Sequence, residues 1–258
     1  MTSVAIGITT YNRPDSFTEC IDSVLEFAPH GSHIFVSDDG STADYEEAFT
    51  SAANSGVTVF QAEHGNIAIS KNRLLTAMLS TKADHFFIIE DDVRPTSTSA
   101  FRQYLDMANR RSMQHSMFGA HGHRNRIAAE DHSMRYFFEC VGAWCYYSRN
   151  AIETVGLMDE EFENCWEHVV HSMLIADAPN NLMPNAGWRL WPDAKSSSDH
   201  IENIDVASTH VVGTEAELMS EVRVQRGLKH WMDNYRFPND ILPLYKPEIL
   251  LSHPDTKL

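Results

Sequence analysis

Three short apolar runs, Val4–Thr9, His33–Ser37 and His85–Ile89, each stop abruptly at a cluster of polar side chains. The runs are rich in Val, Ile and Phe and too short for helices, so they read as buried strands. Between them lie stretches with helical spacing. Phe17, Ile21, Val24 and Leu25 share one helix face, with Asp15 and Ser16 as the candidate cap, and Ala68–Leu79 forms a second helical stretch. Val57–Phe60 is a further strand candidate. Strands alternating with helices specify an α/β fold with a mainly parallel central sheet flanked by helices and right-handed crossovers. In such sheets ligands bind beyond the carboxyl ends of the strands. The polar clusters at residues 9–13, 38–42 and 90–92 all fall at those ends.

The second half changes pattern. Phe101–Arg111 reads as a helix, Phe137–Ser148 as one strand, Asn150–Val155 as a short helix, and 160–176 contains another. Short strands and loops fill 188–212, and Ala216–Tyr235 is a helix. The tail, with Pro238, Pro243, Pro247 and Pro254, is loop-like. No repeat or low-complexity linker divides the chain of 258 residues. The expected organisation is a single domain with a donor half at 1–100, an acceptor-side half at 101–235 and a tail at 236–258.

The charge limits the partners. The formal net charge is −16, which opposes broad, non-specific binding to nucleic acid or anionic membrane. Only 101–135 is basic, with arginines and histidines and no lysine. The cysteines, Cys20, Cys140, Cys145 and Cys165, form no CxxC pair and are expected as free thiols. The N-terminal segment has neither the basic start nor the apolar stretch of a signal peptide, and no window is apolar enough to span a bilayer. A cytoplasmic protein without integral membrane contact is the expectation.

Two clusters carry recognisable chemistry. Glu90 and Asp92 stand at i and i+2 after a buried strand, so both project to one side and can hold a hard divalent cation through oxygen. Asp38-Asp39-Gly40 can accept hydrogen bonds from a nucleobase or ribose while the glycine permits close backbone approach. The alternatives are a solvated acidic turn and an ordinary Asp-Gly turn. The histidines and arginines of His121–Arg126, with His115 and His132, match no common zinc spacing and suit a phosphate-facing loop better. Trp144, Trp166, Trp188 and Trp191 are expected mostly in the core.

The segments VAIGITTYNRP, IFVSDDGST, GNIAISKNRLLTA and HFFIIEDDV, in that order and spacing, resemble family 2 glycosyltransferases with the GT-A fold. A later block, VGAWCYYSRNAIETVGLMDEEFENCWEHVVHSMLI, is similar to the acceptor-side half of that family. The resemblance spans residues 4–176. It implies a nucleotide-sugar donor, usually a UDP-sugar, a Mn²⁺ or Mg²⁺ cofactor and inversion at the anomeric carbon. By position it implies that Thr9, Tyr11 and Arg13 line the nucleotide pocket, that Asp38 or Asp39 contacts the base or ribose, and that Lys71, Asn72 and Arg73 lie near the diphosphate or sugar. Glu90 and Asp92 occupy the family's DxD positions with Asp91 between them on the donor side, Asp92 being the direct metal ligand. A histidine from the C-terminal region often completes such a site, which here gives His200 in preference to His210. The family usually carries Glu-Asp where this chain has Glu167-His168, so either Glu167 or His168 is the implied base. The acceptor stays open among a glycan, a lipid-linked sugar, a protein side chain, a small molecule and a hydroxymethylated base in DNA. A sugar nucleotidyltransferase would carry a glycine-rich loop where Thr9–Arg13 stands, and a non-catalytic binding module is the remaining alternative.

Overall fold

The structure is a computed structural model that describes residues 3–120, 127–163, 165–179, 190–204 and 215–235, with backbone only for 215–221. The first half runs β1 (Val4–Thr10), α1 (Pro14–Phe27), β2 (His33–Asp38), α2 (Glu46–Asn54), β3 (Thr58–Gln61), α3 (Ile67–Leu79) and β4 (His85–Glu90). The second half adds β5 (Val93–Pro95), α4 (Ser99–Arg111), β6 (His115–Met117), β7 (Ile127–Glu130), β8 (Met134–Phe137), β9 (Trp144–Ser148), α5 (Arg149–Val155) and α6 (Glu167–Asp177). Then come β10 (Trp191–Ala194), a 3₁₀ turn at Ser197–Asp199, β11 (Ile201–Asn203) and α7 (Glu215–Asn234). Among the described residues no helix is long and apolar enough to cross a membrane. The segment His121–Arg126, Trp188, His210 and the tail lie outside the described residues.

The central sheet has the order β3-β2-β1-β4-β9-β6. β1 pairs in parallel with β2 and β4, and β2 with β3, while β9 runs antiparallel to β4 and β6. All seven residues of β1 are buried, as a strand covered on both faces requires. Gly7 allows α3 to lie against it: a Cβ there would meet Leu74 Cβ at 3.0 Å and Met78 Cε at 2.5 Å. Phe87 on β4 anchors the other face, in edge contact with Phe101 of α4 at 5.1 Å and Trp144 of β9 at 6.0 Å. Trp144, Trp166 and Trp191 are all buried, as expected of core residues.

Two expectations need correction. Asp15 and Ser16 do not cap α1, because Pro14 already opens the helix. Its fixed φ and missing N–H suit a first helical position, and Asp15 falls in the first turn where its charge favours the helix dipole. The expected strand at 137–148 is two strands in different sheets. β8 joins β7 and β10 in a small antiparallel sheet, whereas β9 joins the central one. In the break at 138–143, Val141 N–H reaches Met117 Sδ at 2.8 Å, and Gly142 lies where a Cβ would meet the Lys71 and His168 side chains.

Phe87→Ala is expected to cost about 3–5 kcal/mol, the range for emptying a large buried aromatic site. Urea unfolding monitored by circular dichroism measures this, and a loss below about 1 kcal/mol contradicts the placement of Phe87 at the centre of the core.

Candidate active site

The parallel register brings the polar clusters together. Thr9 lies opposite Glu90 and Thr10 opposite Asp38. Past the strands the ladder continues for one bond on each side, from Asp39 N–H to the Thr10 carbonyl and from Asp91 N–H to the Thr9 carbonyl. Asn12 then ties the loops: its Oδ1 accepts from Thr42 N–H at 2.8 Å and Ala43 N–H at 3.1 Å, and its own N–H donates to Ser41 Oγ. The result is an open cavity of about 650 Å³ over the carboxyl ends of β1, β2 and β4. Thr9 and Thr10 line it from the end of β1, Tyr11 and Arg13 from the first loop, Asp39 from the second, Glu90 from β4, and Glu167 and His168 from α6.

Lys71 lies beneath the wall of this cavity. Its side chain is 1% exposed, and Nζ donates to Glu90 Oε1 at 2.7 Å and Glu167 Oε1 at 3.0 Å. An ammonium buried this deeply is stable only when paired. Burial works against its charge, but Glu90 and Glu167 outweigh that and hold its pKa above the ordinary lysine value. Burial likewise opposes ionisation of Glu167, yet Lys71 and then His168 pull its pKa well below the usual carboxylate range. His168 Nδ1 completes the chain at 3.0 Å from Glu167 Oε1. Trp166, immediately before, has φ of 74° and packs on Trp231 of α7, so the entry into α6 is fixed by tertiary contact.

A second cation faces the other acidic residues. The Arg13 guanidinium pairs with Asp91 and lies 3.7 Å from Asp92. Thr10 Oγ1 donates to Asp91 Oδ2 at 2.6 Å and accepts from Tyr45, whose phenolic oxygen in turn accepts from Arg13 N–H. Burial pushes Asp91 up to about 7 against the pull of Arg13 and Thr10.

The nucleotide side of the cavity has an aromatic edge. Tyr11 and His64 stack with centroids 4.6 Å apart, and His64 Nδ1 sits 3.0 Å from Asp39 Oδ2. Gly65 N–H donates to the other oxygen, Asp39 Oδ1, at 3.1 Å. Gly40, with φ of 79°, is required here, since a Cβ would come within 2.4 Å of His64 N.

Several residues singled out from sequence stand elsewhere. Strand alternation turns Asp38 away from Asp39, and it accepts from Ser41 N–H beside a separate shallow cleft of about 330 Å³. Successive residues of α3 diverge around the helix. Asn72 binds the Met158 backbone, Arg73 donates to Ser37 Oγ at 2.6 Å, and neither lines the cavity. Asp91 and Asp92 lie under the surface rather than on the cavity wall. His200 is not brought to the carboxylates. The β11–β5 register sets Asn203, not His200, opposite Val93, and His200 Nδ1 meets Ser97 Oγ at 3.0 Å. Sequence reasoning missed Tyr45, His64, Ser70 and Arg223. Only His64 had a local signal, being next to the Gly65-Asn66 pair whose Asn66 caps α3.

Among the described residues, no three His, Cys, Asp or Glu side chains form a ready metal cage. The donor set nonetheless suits a hard cation. Glu90, Asp91 and Asp92 offer oxygen donors alone, with Lys71 paired to Glu90 and Arg13 paired to Asp91 and near Asp92. A hard cation such as Mn²⁺ or Mg²⁺ takes donors of this kind, with Glu90 on the cavity wall and Asp92 just beneath it.

Lys71 controls how stability responds to pH. Paired with it, Glu90 and Glu167 have lowered pKa values, so their contribution is present above the unfolded carboxylate value and is lost on acidification. Without it, the buried Glu167 and half-buried Glu90 carboxylates repel, their folded pKa values rise, and stability is lost as pH increases. The gap in unfolding free energy between wild type and Lys71→Met is therefore expected to widen from pH 5 to pH 8, reaching about 3–5 kcal/mol. Urea midpoints at the two pH values test this, and a constant gap contradicts the ion pair.

Comparison with known proteins agrees with this geometry. Residues 5–155 match the model of Glycosyl transferase family 2. The mannosyltransferase PcManGT from Pyrobaculum calidifontis, solved with GDP-Man and Mn²⁺, is similar with a TM-score of 0.59 at 14% identity, over 95% of this chain and 67% of that one. TarS from S. aureus is similar with a TM-score of 0.53 at 15% identity, over 68% of this chain and 33% of that one. For its 1–349 form with UDP-GlcNAc the values are 0.53 and 14%, over 68% and 53%. The chain thus spans about a third to half the length of the TarS chains it matches. At such identities the likeness is one of fold. No curated protein matches the chain. Because the family model covers more than half of the sequence and the sheet is that of the GT-A enzymes, the chain belongs to glycosyl transferase family 2.

Proposed function

We propose that the protein is a metal-dependent, inverting glycosyltransferase that moves a sugar from a nucleotide-sugar, with a UDP-sugar as the first choice, to an acceptor hydroxyl. The observation that carries this reading is the convergence of Tyr11, Asp39, Glu90 and the Glu167–His168 pair on one open cavity at the strand ends. The family supports a sugar nucleotide as the donor, and PcManGT and TarS 1–349 were solved with GDP-Man and UDP-GlcNAc. The donor half at 1–100 supplies the nucleotide wall, and the half at 101–235 supplies Glu167, His168 and Arg223.

Each wall has a distinct task. The Tyr11–His64 stack offers an apolar face for the base, and Asp39 offers an acceptor for its N–H or for ribose hydroxyls. Arg13 and Arg223 place positive charge beside the cavity, where negative charge develops on the leaving diphosphate. Glu90 and Asp92 would hold the divalent cation, which neutralises that diphosphate when bound. The Glu167–His168 pair faces the acceptor and takes its proton as the oxygen attacks the anomeric carbon. Attack on the face opposite the departing group inverts the configuration. The transition state is oxocarbenium-like, as in other sugar transfers.

The test is a donor screen with Mn²⁺ and a panel of nucleotide-sugars, reading release of the nucleoside diphosphate. Turnover of at least one donor, abolished by EDTA and by Asp92→Ala, is expected. Binding without turnover for every acceptor tried would favour a non-catalytic module. Tyr11→Ala is expected to raise KM for that donor about tenfold with the fold intact, the scale of one lost base–aromatic stack. An unchanged KM contradicts the placement of the base.

A further inference from the structure

We propose that His168, rather than Glu167, accepts the proton of the acceptor hydroxyl, and that the Lys71–Glu167 ion pair fixes its ring in the tautomer able to do so. This rests on the transferase reading above and names which member of the pair performs the proton transfer.

Accessibility separates the two groups. Glu167 is 2% exposed, and its Oε1 is already shared by Lys71 Nζ and His168 Nδ1, each at 3.0 Å. Its Oε2 is buried without a hydrogen-bond partner, so no acceptor hydroxyl reaches it in this arrangement. Both residues border the cavity, but the His168 side chain is 19% exposed against 3% for that of Glu167.

The proton inventory then fixes the ring. A carboxylate kept ionised by a buried ammonium can only accept hydrogen bonds. His168 Nδ1 must therefore donate to Glu167 Oε1, so the neutral ring carries its proton on Nδ1. Its lone pair lies on Nε2, the nitrogen that acts as a base. Gly142 packs close to the ring. A Cβ at that position would stand 2.9 Å from His168 Cγ and Nδ1 and 3.1 Å from Lys71 Nζ, so backbone lies directly against both groups. A base held by an orienting carboxylate is the arrangement general-base catalysis requires. Glu167 is ill-suited to the task itself, because Lys71 and His168 stabilise its ionised form and lower its affinity for a proton.

The step balances. The acceptor O–H proton passes to His168 Nε2 as the oxygen forms its bond to the anomeric carbon. The bond from that carbon to the diphosphate oxygen breaks, and its electron pair leaves with the nucleoside diphosphate. The imidazolium, stabilised by Glu167, returns its proton to water. Lys71 and Glu167 act here as positioning residues.

Two readouts test the proposal on the full chain. Long-range ¹H–¹⁵N correlation with ¹⁵N-labelled histidine, assigned by loss of signal in His168→Gln, reports the tautomer without any substrate. Protonated Nδ1 with bare Nε2 is expected at pH 8, shifting toward the other tautomer in Glu167→Gln. Protonated Nε2 in the wild type overturns the proposal. In transfer assays, His168→Ala is expected to lower kcat by about 10²–10⁴-fold. Donor affinity by calorimetry should stay unchanged, and added imidazole should restore part of the rate. Retained donor affinity shows that the variant is folded. A loss below about threefold overturns the proposal while leaving the transferase reading intact. If the wild type transfers to no hydroxyl at all, the transferase reading fails, and His168 as its base falls with it.

Discussion

One buried ammonium organises the site. Lys71 projects from the first half of the chain, below the cavity, and binds carboxylates from both halves: Glu90 at the tip of the central strand and Glu167 at the start of α6. The buried Glu167 carboxylate could not lie beside half-buried Glu90 without it, since like charges in a poorly solvated site repel strongly. The ion pair thus does in the second half what the parallel register does in the first. It brings a group from a distant part of the sequence to the edge where the strand ends meet.

The same logic repeats on a smaller scale at Arg13. A cluster of acidic residues after one strand is unstable alone, and Arg13 reaches back from the adjacent loop to pair with Asp91 and approach Asp92. Asp91, under the surface, ties Thr10 and Arg13 together, whereas Glu90 faces the cavity. Internal cations neutralise only part of the acidic tip. What remains is an acidic, oxygen-rich tip, the kind of donor a hard cation takes. Architecture and electrostatics therefore favour the same class of ligand at the same edge of the sheet.

How far this was legible in the sequence depended on range. The strand ends were readable because each is local: an apolar run followed by Thr9–Arg13, Asp38–Thr42 or Glu90–Asp92. Parallel pairing then made their convergence a matter of topology. The resemblance to the family located Glu167 and His168, and the structure places both on the cavity. The direction of a side chain around α3 was not readable. Lys71 lies under the cavity wall and Arg73 reaches Ser37, although the family resemblance implied both near the donor. His200 failed for a similar reason, since its position depends on the β11–β5 register, which no pattern in the sequence specifies. Residues 137–148 read as one strand, but the chain leaves β8 after Phe137 and enters the central sheet as β9 only at Trp144, with Gly142 close to Lys71 and His168 in between. Tyr45 and Arg223 reach the site through tertiary packing, and no motif marks them.

The most direct test is a crystal structure of the protein grown with a UDP-sugar and Mn²⁺. The expected result is a base against Tyr11 and Asp39, with the diphosphate beside Glu90 and the sugar turned toward His168. A nucleotide lodged in any other cleft, or a cavity that takes up neither ion nor nucleotide at saturating concentration, contradicts the central claim.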